Sequence, residues 1–369
     1  MVIPRRSTLK RLYFRILHLL RQDERLLRGL GRQSAVAVLN LHEISPVDKA
    51  FGPPLHPVEF EELLVYVTKH FHVTTFHRAA TPTDDKRPRV ILSFDDGYQS
   101  FVEHAMPLLH AHGVAVNQNV IGESVKTGRP PWNTRLNDFL NAAPRSLINE
   151  LRLPGFSMRL GSETPDEKAQ YGVALSRFLK LRPRGAREPL WNRVEELMDR
   201  GGFVSSTRMM SVDDVRFAAT EHEIGAHSFS HESMAFESDE YFLEDFARCE
   251  AFFRDELGLP LDIYAFPNGV YRQEQVEMLQ RRGIRYVLLV EEKLATGLGG
   301  VFSRLTLSAQ FGLEAKFQAV GYKARGVLLS VASAAFRAAF ADHSFEGVDL
   351  IARRDGLVVQ GGDRVDRRR

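Results

Sequence analysis

The hexapeptide Arg89-Val90-Ile91-Leu92-Ser93-Phe94 runs directly into two adjacent carboxylates, Asp95 and Asp96, and then Gly97. A short apolar run of this kind reads as a buried strand, and its C-terminal end carries both charges. Helical spacing follows at once. Phe101, Ala105, Leu108 and Leu109 form a stripe, Gly113 stops the helix, and residues 114–121 read as the next strand. Strand, carboxylates, helix, strand is the layout of a parallel α/β unit. Chemistry in such units sits at the carboxyl ends of the strands.

The same alternation recurs along the chain. Residues 35–42 read as an earlier buried strand, and residues 57–70 as a helix with Phe60, Leu63, Leu64 and Val67 on one face. Residues 81–88 are a polar loop. Residues 128–210 change character and read as a mostly helical, charge-rich insertion covering one side of the site. The α/β pattern resumes at Ser211, a helix N-cap with Asp214 at the third helical position. Strands are expected at 223–227, 263–266 and 286–290. Helices are expected at 241–257 and 273–282, the latter stopped by Gly283. Residues 327–340 read as an alanine-rich helix, and the tail from Gly361 as disordered. The expected division is an N-terminal basic helical segment (1–34), a main domain with its insertion (35–325), and a C-terminal helix and tail (326–369).

Of the 369 residues, 44% are apolar and 26% charged, the balance of an ordinary soluble globular protein. A net charge of +2 argues for neither a nucleic acid nor an acidic surface partner. The single cysteine, Cys249, excludes an intramolecular disulfide and falls in an amphipathic helical pattern, where a buried structural thiol is expected. This cysteine usage is compatible with the cytosol. The apolar stretch 12–20 is interrupted by Arg15 and His18, too short and too charged to span a membrane. No small-residue cleavage site follows it, so it does not read as a signal peptide. It is expected to pack on the main domain. The alternative is a basic amphipathic helix lying on a membrane surface, giving a cytoplasmic protein with peripheral membrane association.

The second chemical element is His227-Ser228-Phe229-Ser230-His231. On a helix, residues four apart share a face about 5–6 Å apart at Cβ, a separation that suits two ligands of one ion. One Asp and two His make a three-ligand hydrolytic metal site with an open coordination position. The remaining Asp is then free to act as general base. Spacing alone does not choose which of Asp95 and Asp96 takes which role. Two charges at the end of a buried strand are costly without a cation, which favours the metal reading over a solvated turn. Phe266-Pro267-Asn268-Gly269 is a sharp turn after a strand. It reads as an ordinary turn, or as one that presents a backbone N–H to a developing oxyanion.

Together these pieces resemble the polysaccharide deacetylase family (carbohydrate esterase family 4, the NodB-homology domain). The family's Thr-Phe-Asp-Asp-Gly appears as Ser93-Phe94-Asp95-Asp96-Gly97, and its His-Ser/Thr-x-x-His as His227-Ser228-Phe229-Ser230-His231. The preceding Gly-His-Glu-Ile-Gly appears as Glu221-His222-Glu223-Ile224-Gly225, departing only at its first position. The aromatic-x-Pro-Tyr-Gly element appears as Phe266-Pro267-Asn268-Gly269, with Asn for Tyr, and Leu41-His42 resembles an opening Tyr-His. The match covers roughly residues 35–125 and 205–305. The resemblance implies a distorted (β/α) barrel and a divalent ion, commonly zinc, on Asp96, His227 and His231. It implies Asp95 as base, the Asn268 backbone N–H in the oxyanion hole, and hydrolysis of an N-acetyl group from an amino sugar. The leaving amine needs a proton, for which His42 and His343 are the candidates, each more readily read as structural. Arg304 would orient Asp95 or bind substrate, although a surface arginine is the default reading.

Two alternatives stand beside N-deacetylation. One is hydrolysis of another non-peptide C–N bond, such as a small cyclic amide, on the same scaffold. The other is a catalytically silent glycan-binding barrel, motivated by the missing acid motif and by Asn268. The substrate expected is an N-acetylated glycan or a lipid-linked sugar, with a cytoplasmic biosynthetic intermediate preferred.

Overall fold

A computed structural model describes residues 5–31, 35–297, 299–309 and 311–322. The expected helix at 327–340, the tail and His343 lie outside the described residues.

Among the described residues, eight parallel strands make one sheet: β1 (Val36–Leu41), β2 (His72–Val73), β3 (Arg89–Phe94), β4 (Asn117–Val120), β5 (Glu223–Ala226), β6 (Ile263–Ala265), β7 (Tyr286–Val290) and β8 (Gly300–Thr306). Seven of them close into a barrel, because β1 pairs with both β3 and β8. β2 adds a short pairing to the start of β3. The ring is uneven. β1 and β3 pair over six residues and β7 and β8 over five, whereas β5 and β6 share the single pairing Ala226 with Tyr264. This is the distorted α/β barrel that the resemblance implies.

Alternation along each strand sorts side chains into two layers. Val36 and Val38 of β1, Ile91 of β3, Ile263 and Ala265 of β6, Leu288 of β7 and Phe302 of β8 belong to one compact apolar cluster, which fills the barrel. The intervening residues Ala37, Leu39, Val90, Leu92, Tyr264, Val287 and Leu289 belong to the larger cluster shared with the surrounding helices. That cluster includes Phe60, Leu63, Leu64 and Val67 of the helix Pro57–His70, the stripe expected from spacing. Toward the carboxyl ends the inward positions turn polar: Asn40, Ser93, Asn117 and Asn119 are all buried. The barrel therefore has a dry floor and a polar upper storey that supports the site.

Between β4 and β5 lie the helices Trp132–Ala142, Arg145–Ile148, Pro165–Lys180 and Arg184–Arg200. They carry an apolar core of their own, built around Leu136, Phe139, Leu175, Leu179, Trp191 and Val194. The chain returns to the barrel through Ser211, whose hydroxyl and Asp214 carboxylate form a reciprocal capping box. At the N-terminus the helices Arg5–Leu19 and Gln22–Gly31 pack on the barrel's outer core through Phe14, Leu17, Leu26 and Leu30. Cys249 is buried in the helix Asp239–Ala251, where burial pushes its thiol pKa up, as fits a structural residue. Among the described residues, no helix is long and apolar enough to cross a membrane.

Candidate metal centre

β3 delivers Asp95 and Asp96 to the barrel's carboxyl rim, and β5 delivers His227. A loop then brings His231 back beside it. One ligand atom from each of Asp96, His227 and His231 lies within 4.8 Å of the others, and all three residues are buried. Asp96 Oδ1 is 3.3 Å from His231 Nε2 and 3.6 Å from His227 Nε2. Yet this buried oxygen makes no hydrogen bond to any described residue. A buried, unpaired carboxylate oxygen facing two imidazole nitrogens is costly as it stands, and a cation at their focus would resolve the cost. The three side chains thus fit a divalent ion.

The two histidines do not lie on a helix, which corrects the helical-face argument from their spacing. They are joined by an irregular loop in which Ser228 (φ 57°) and His231 (φ 58°) adopt left-handed conformations. Asp96 (φ 78°) and Asn268 (φ 57°) do the same. Backbone strain of this kind survives only where surrounding contacts enforce it, and here it gathers at one site. The contacts are visible. Asp245 accepts hydrogen bonds from the Phe229 and Ser230 amides at 2.8 and 3.0 Å, and Ser228 Oγ accepts from the His231 amide at 2.7 Å. The rings end 5.0 Å apart, centroid to centroid.

His227 Nδ1 donates to the Ala265 carbonyl at 2.9 Å. A carbonyl only accepts, so the proton sits on Nδ1 and the Nε2 lone pair faces Asp96. Burial lowers the His227 pKa to about 4 against the opposing pull of Asp95, so the ring is neutral and competent as a ligand near pH 7. Asp96 is held ionised: burial works to raise its pKa, but His231, His42 and His227 together bring it well below the ordinary carboxylate range.

Asp95 is built differently. Arg304 clamps it with two bonds, Nη1 to Oδ1 and Nη2 to Oδ2, both at 2.8 Å. Asn119 Nδ2 adds a third bond to Oδ1 at 2.8 Å. Burial pushes the Asp95 pKa up, but the Arg304 charge, with help from His227, overcomes it and holds the group at about 2. Arg304 is itself fully buried and also reaches Asn40 Oδ1 and Ser93 Oγ, at 3.1 and 3.2 Å. The default reading of Arg304 as a surface residue is therefore overturned. It lies two residues after Phe302 in the same inward row of β8, beside a buried carboxylate that needs a cation. Asn119 fits only because its neighbour on β5 is Gly225, where a Cβ would fall 2.3 Å from Asn119 Oδ1.

Asn268 occupies the turn after β6, half-buried, with its side-chain Nδ2 donating to Ser233 Oγ at 3.1 Å. His42 follows β1 directly and is exposed at the rim, within electrostatic range of both Asp95 and Asp96. Three further residues escaped the sequence reading. Lys180, at the end of the insertion helix Pro165–Lys180, interacts electrostatically with Asp96. Tyr98 hydrogen-bonds the insertion's Thr134 at 2.9 Å. Arg187 of the insertion pairs with Glu232, the neighbour of His231.

Comparison with known proteins agrees with the resemblance read from the motifs. Residues 203–287 match the family model described as polysaccharide deacetylase. That span contains both histidines and the Asn268 turn, while Asp95 and Asp96 lie outside it. No curated protein matches the sequence. Among solved structures, IcaB from Ammonifex degensii is 16% identical, with 78% of this chain and 97% of that chain covered at a TM-score of 0.48. The Streptococcus pyogenes deacetylase PplD, solved in complex with acetate, is 13% identical, covering 78% and 98% at 0.49. A de-N-acetylase from Aggregatibacter actinomycetemcomitans is 13% identical, covering 76% and 99% at 0.46.

Proposed function

We propose that this polysaccharide-deacetylase-like chain is a metal-dependent hydrolase that removes N-acetyl groups from an amino-sugar glycan or glycan precursor. The observation that carries the reading is a buried Asp96–His227–His231 triad beside a second buried carboxylate kept ionised by its own arginine. Asp96, His227 and His231 would hold the divalent ion. Two imidazoles and one carboxylate suit zinc, which we take as the resident metal. Such an ion, when bound, lowers the pKa of water and polarises a carbonyl oxygen.

The chain's own residues supply the rest. Asp95 Oδ1 already accepts from both Asn119 and Arg304, whereas among the described residues Oδ2 accepts only from Arg304, and it points toward His227 Nε2 at 3.9 Å. Oδ2 is therefore the atom that takes the proton from the attacking water. The Asn268 backbone N–H, turned by its left-handed conformation, stabilises the oxygen of the acetyl carbonyl. As the water oxygen bonds to the acetyl carbon, the C–N bond breaks, and acetate and a free amine depart. His42 donates the proton to that amine; it stands at the rim within electrostatic reach of the site. A silent glycan-binding barrel gains no support from this arrangement, since a binder has no use for a clamped, ionised Asp95.

Elemental analysis of protein purified without chelator tests the reading. The wild type is expected to hold close to one equivalent of divalent metal and His227→Ala almost none, and the metal-loaded wild type is expected to release acetate from an N-acetylated glycan. A wild type that stays metal-free after zinc, cobalt or nickel is added sinks the proposal. Metal without acetate from any glycan would instead favour cleavage of a different C–N bond.

We also propose that the N-terminal helix rests on an anionic membrane surface, placing the enzyme in the cytoplasm against a membrane carrying a lipid-linked substrate. Leu12, Ile16, Leu19 and Leu20 are exposed on the helix Arg5–Leu19 and its end, Leu19 by 80%, and Arg15, Arg21, Arg25 and Arg28 are exposed beside them. Co-flotation with vesicles containing anionic lipid is expected for the wild type and lost in Ile16→Glu/Leu19→Glu. Equal flotation of the two would refute it.

A further inference from the structure

His227 and His231 are held by different means. The His227 ring is oriented by its own Nδ1 bond to a strand carbonyl. His231 Nδ1 is buried and has no hydrogen-bond partner among the described residues. Metal-bound histidines ordinarily have their second nitrogen fixed, and that bond sets the ring's orientation. At His231 the backbone must do this work, in a left-handed conformation it would not keep unaided.

Two holds fix that backbone. On the N-terminal side, Asp245 of the barrel's own helix captures the Phe229 and Ser230 amides. On the C-terminal side, Glu232 is gripped by Arg187 through both guanidinium ends, Nη2 to Oε1 at 2.7 Å and Nη1 to Oε2. Both side chains are buried, at 6% and 5% exposure, so the pair is shielded from solvent and salt. The Arg187 guanidinium also lies over the Trp132 ring at 4.7 Å. Arg187 and Trp132 both belong to the insertion. Farther along the chain, the N-terminus of the Arg187 helix also ties down Glu237, whose Oε1 accepts from the Arg184 amide at 2.6 Å.

We infer that Arg187 is a positioning residue for the metal site: through Glu232 it fixes His231, so that the insertion sets metal affinity as well as covering the barrel. This rests on the metal-dependent reading above. Removing Arg187 frees His231 to leave the triad while His227 and Asp96 stay in place. An insertion that merely covered the barrel would have no such effect.

The test is the dissociation constant for Zn²⁺, measured by chelator competition, together with the ligand-field spectrum of the Co²⁺-loaded protein. Arg187→Met is expected to weaken Zn²⁺ binding by about tenfold or more and to alter the Co²⁺ spectrum, in the range seen when partners of metal ligands are lost. Arg187→Lys keeps one charged bond and should recover part of the affinity. Leu175→Ala, which opens a cavity in the insertion's core and removes no hydrogen-bond partner of Glu232, should lower thermal stability and leave Zn²⁺ affinity within about twofold. Should Arg187→Met fail to fold, Glu232→Gln asks the same question from the barrel side, with weakening again expected. Wild-type affinity in the Arg187 and Glu232 variants, or an equal loss in Leu175→Ala, overturns the inference alone. A wild type that binds no metal overturns the hydrolase reading and this inference with it.

Discussion

Asp95→Asn is expected to bind its divalent ion normally and to lose acetate release by about two to four orders of magnitude, the usual contribution of a positioned general base. The amide keeps the shape of the carboxylate and still presents an oxygen to one end of Arg304. It cannot accept the water's proton. Asp96, the neighbour in sequence, shows the opposite pattern: Asp96→Asn is expected to lose metal first and activity as a consequence. The contrast between two adjacent residues is what the geometry demands, because Asp95 is clamped by Arg304 and Asn119 while Asp96 Oδ1 is left open toward the imidazoles. Metal content and acetate release, measured on the same preparations, separate the two. Full activity in Asp95→Asn would remove the base from the mechanism.

Arg304→Leu should be the most damaging single change to the fold. Arg304 is fully buried and its partner Asp95 nearly so, and truncating one member of such a pair leaves an uncompensated charge, at a cost of about 3–5 kcal/mol. The Asp95 carboxyl escapes that cost by taking up a proton, since burial would then act on it unopposed. The sign follows from linkage. In the wild type, the Asp95 pKa is depressed to about 2, so its contribution to stability is complete above the unfolded value and drains away as pH falls toward 2. In Arg304→Leu that contribution is gone at neutral pH, and the acid limb of the rate profile moves upward. Arg304→Lys is a poor substitute, because an ammonium cannot reproduce the two parallel bonds. Urea unfolding at several pH values, with the pH dependence of acetate release in whatever variant folds, checks both statements. An unshifted acid limb would show that Arg304 does not govern Asp95.

Much of the barrel was legible because its strands are buried on both faces and read as uninterrupted apolar runs. The limits of β3 and β7, and of the helix Pro57–His70, coincide with their patterns. β8 was missed for the converse reason: Ser303 and Arg304 interrupt Gly300–Thr306, and a strand that places an arginine in a barrel's interior does not look buried. β2 is two residues long, below what any periodicity resolves. At the site, residue types were legible and conformation was not. The two histidines sit at helical spacing yet meet through left-handed loop residues, a geometry imposed by Asp245 from a different helix. Asp95 and Arg304 are 209 positions apart, and no local pattern pairs them. The Arg187–Glu232 link was equally silent, as each looks like an ordinary surface charge until the insertion folds against the loop.

The closure of the barrel has a consequence for when the molecule becomes active. The three metal ligands have been made by residue 231, and the groups that hold them, Asp245 and the Ala265 carbonyl, follow before β7. The cation that keeps Asp95 ionised arrives only with β8, which docks against β1, the first strand. So distant a contact forms late, because its loop-closure entropy is incurred before any contact repays it. A growing or truncated chain that stops short of Arg304 can therefore carry its ligands and still lack a working base. The last strand serves as an arming step, which ties hydrolysis to completion of the ring.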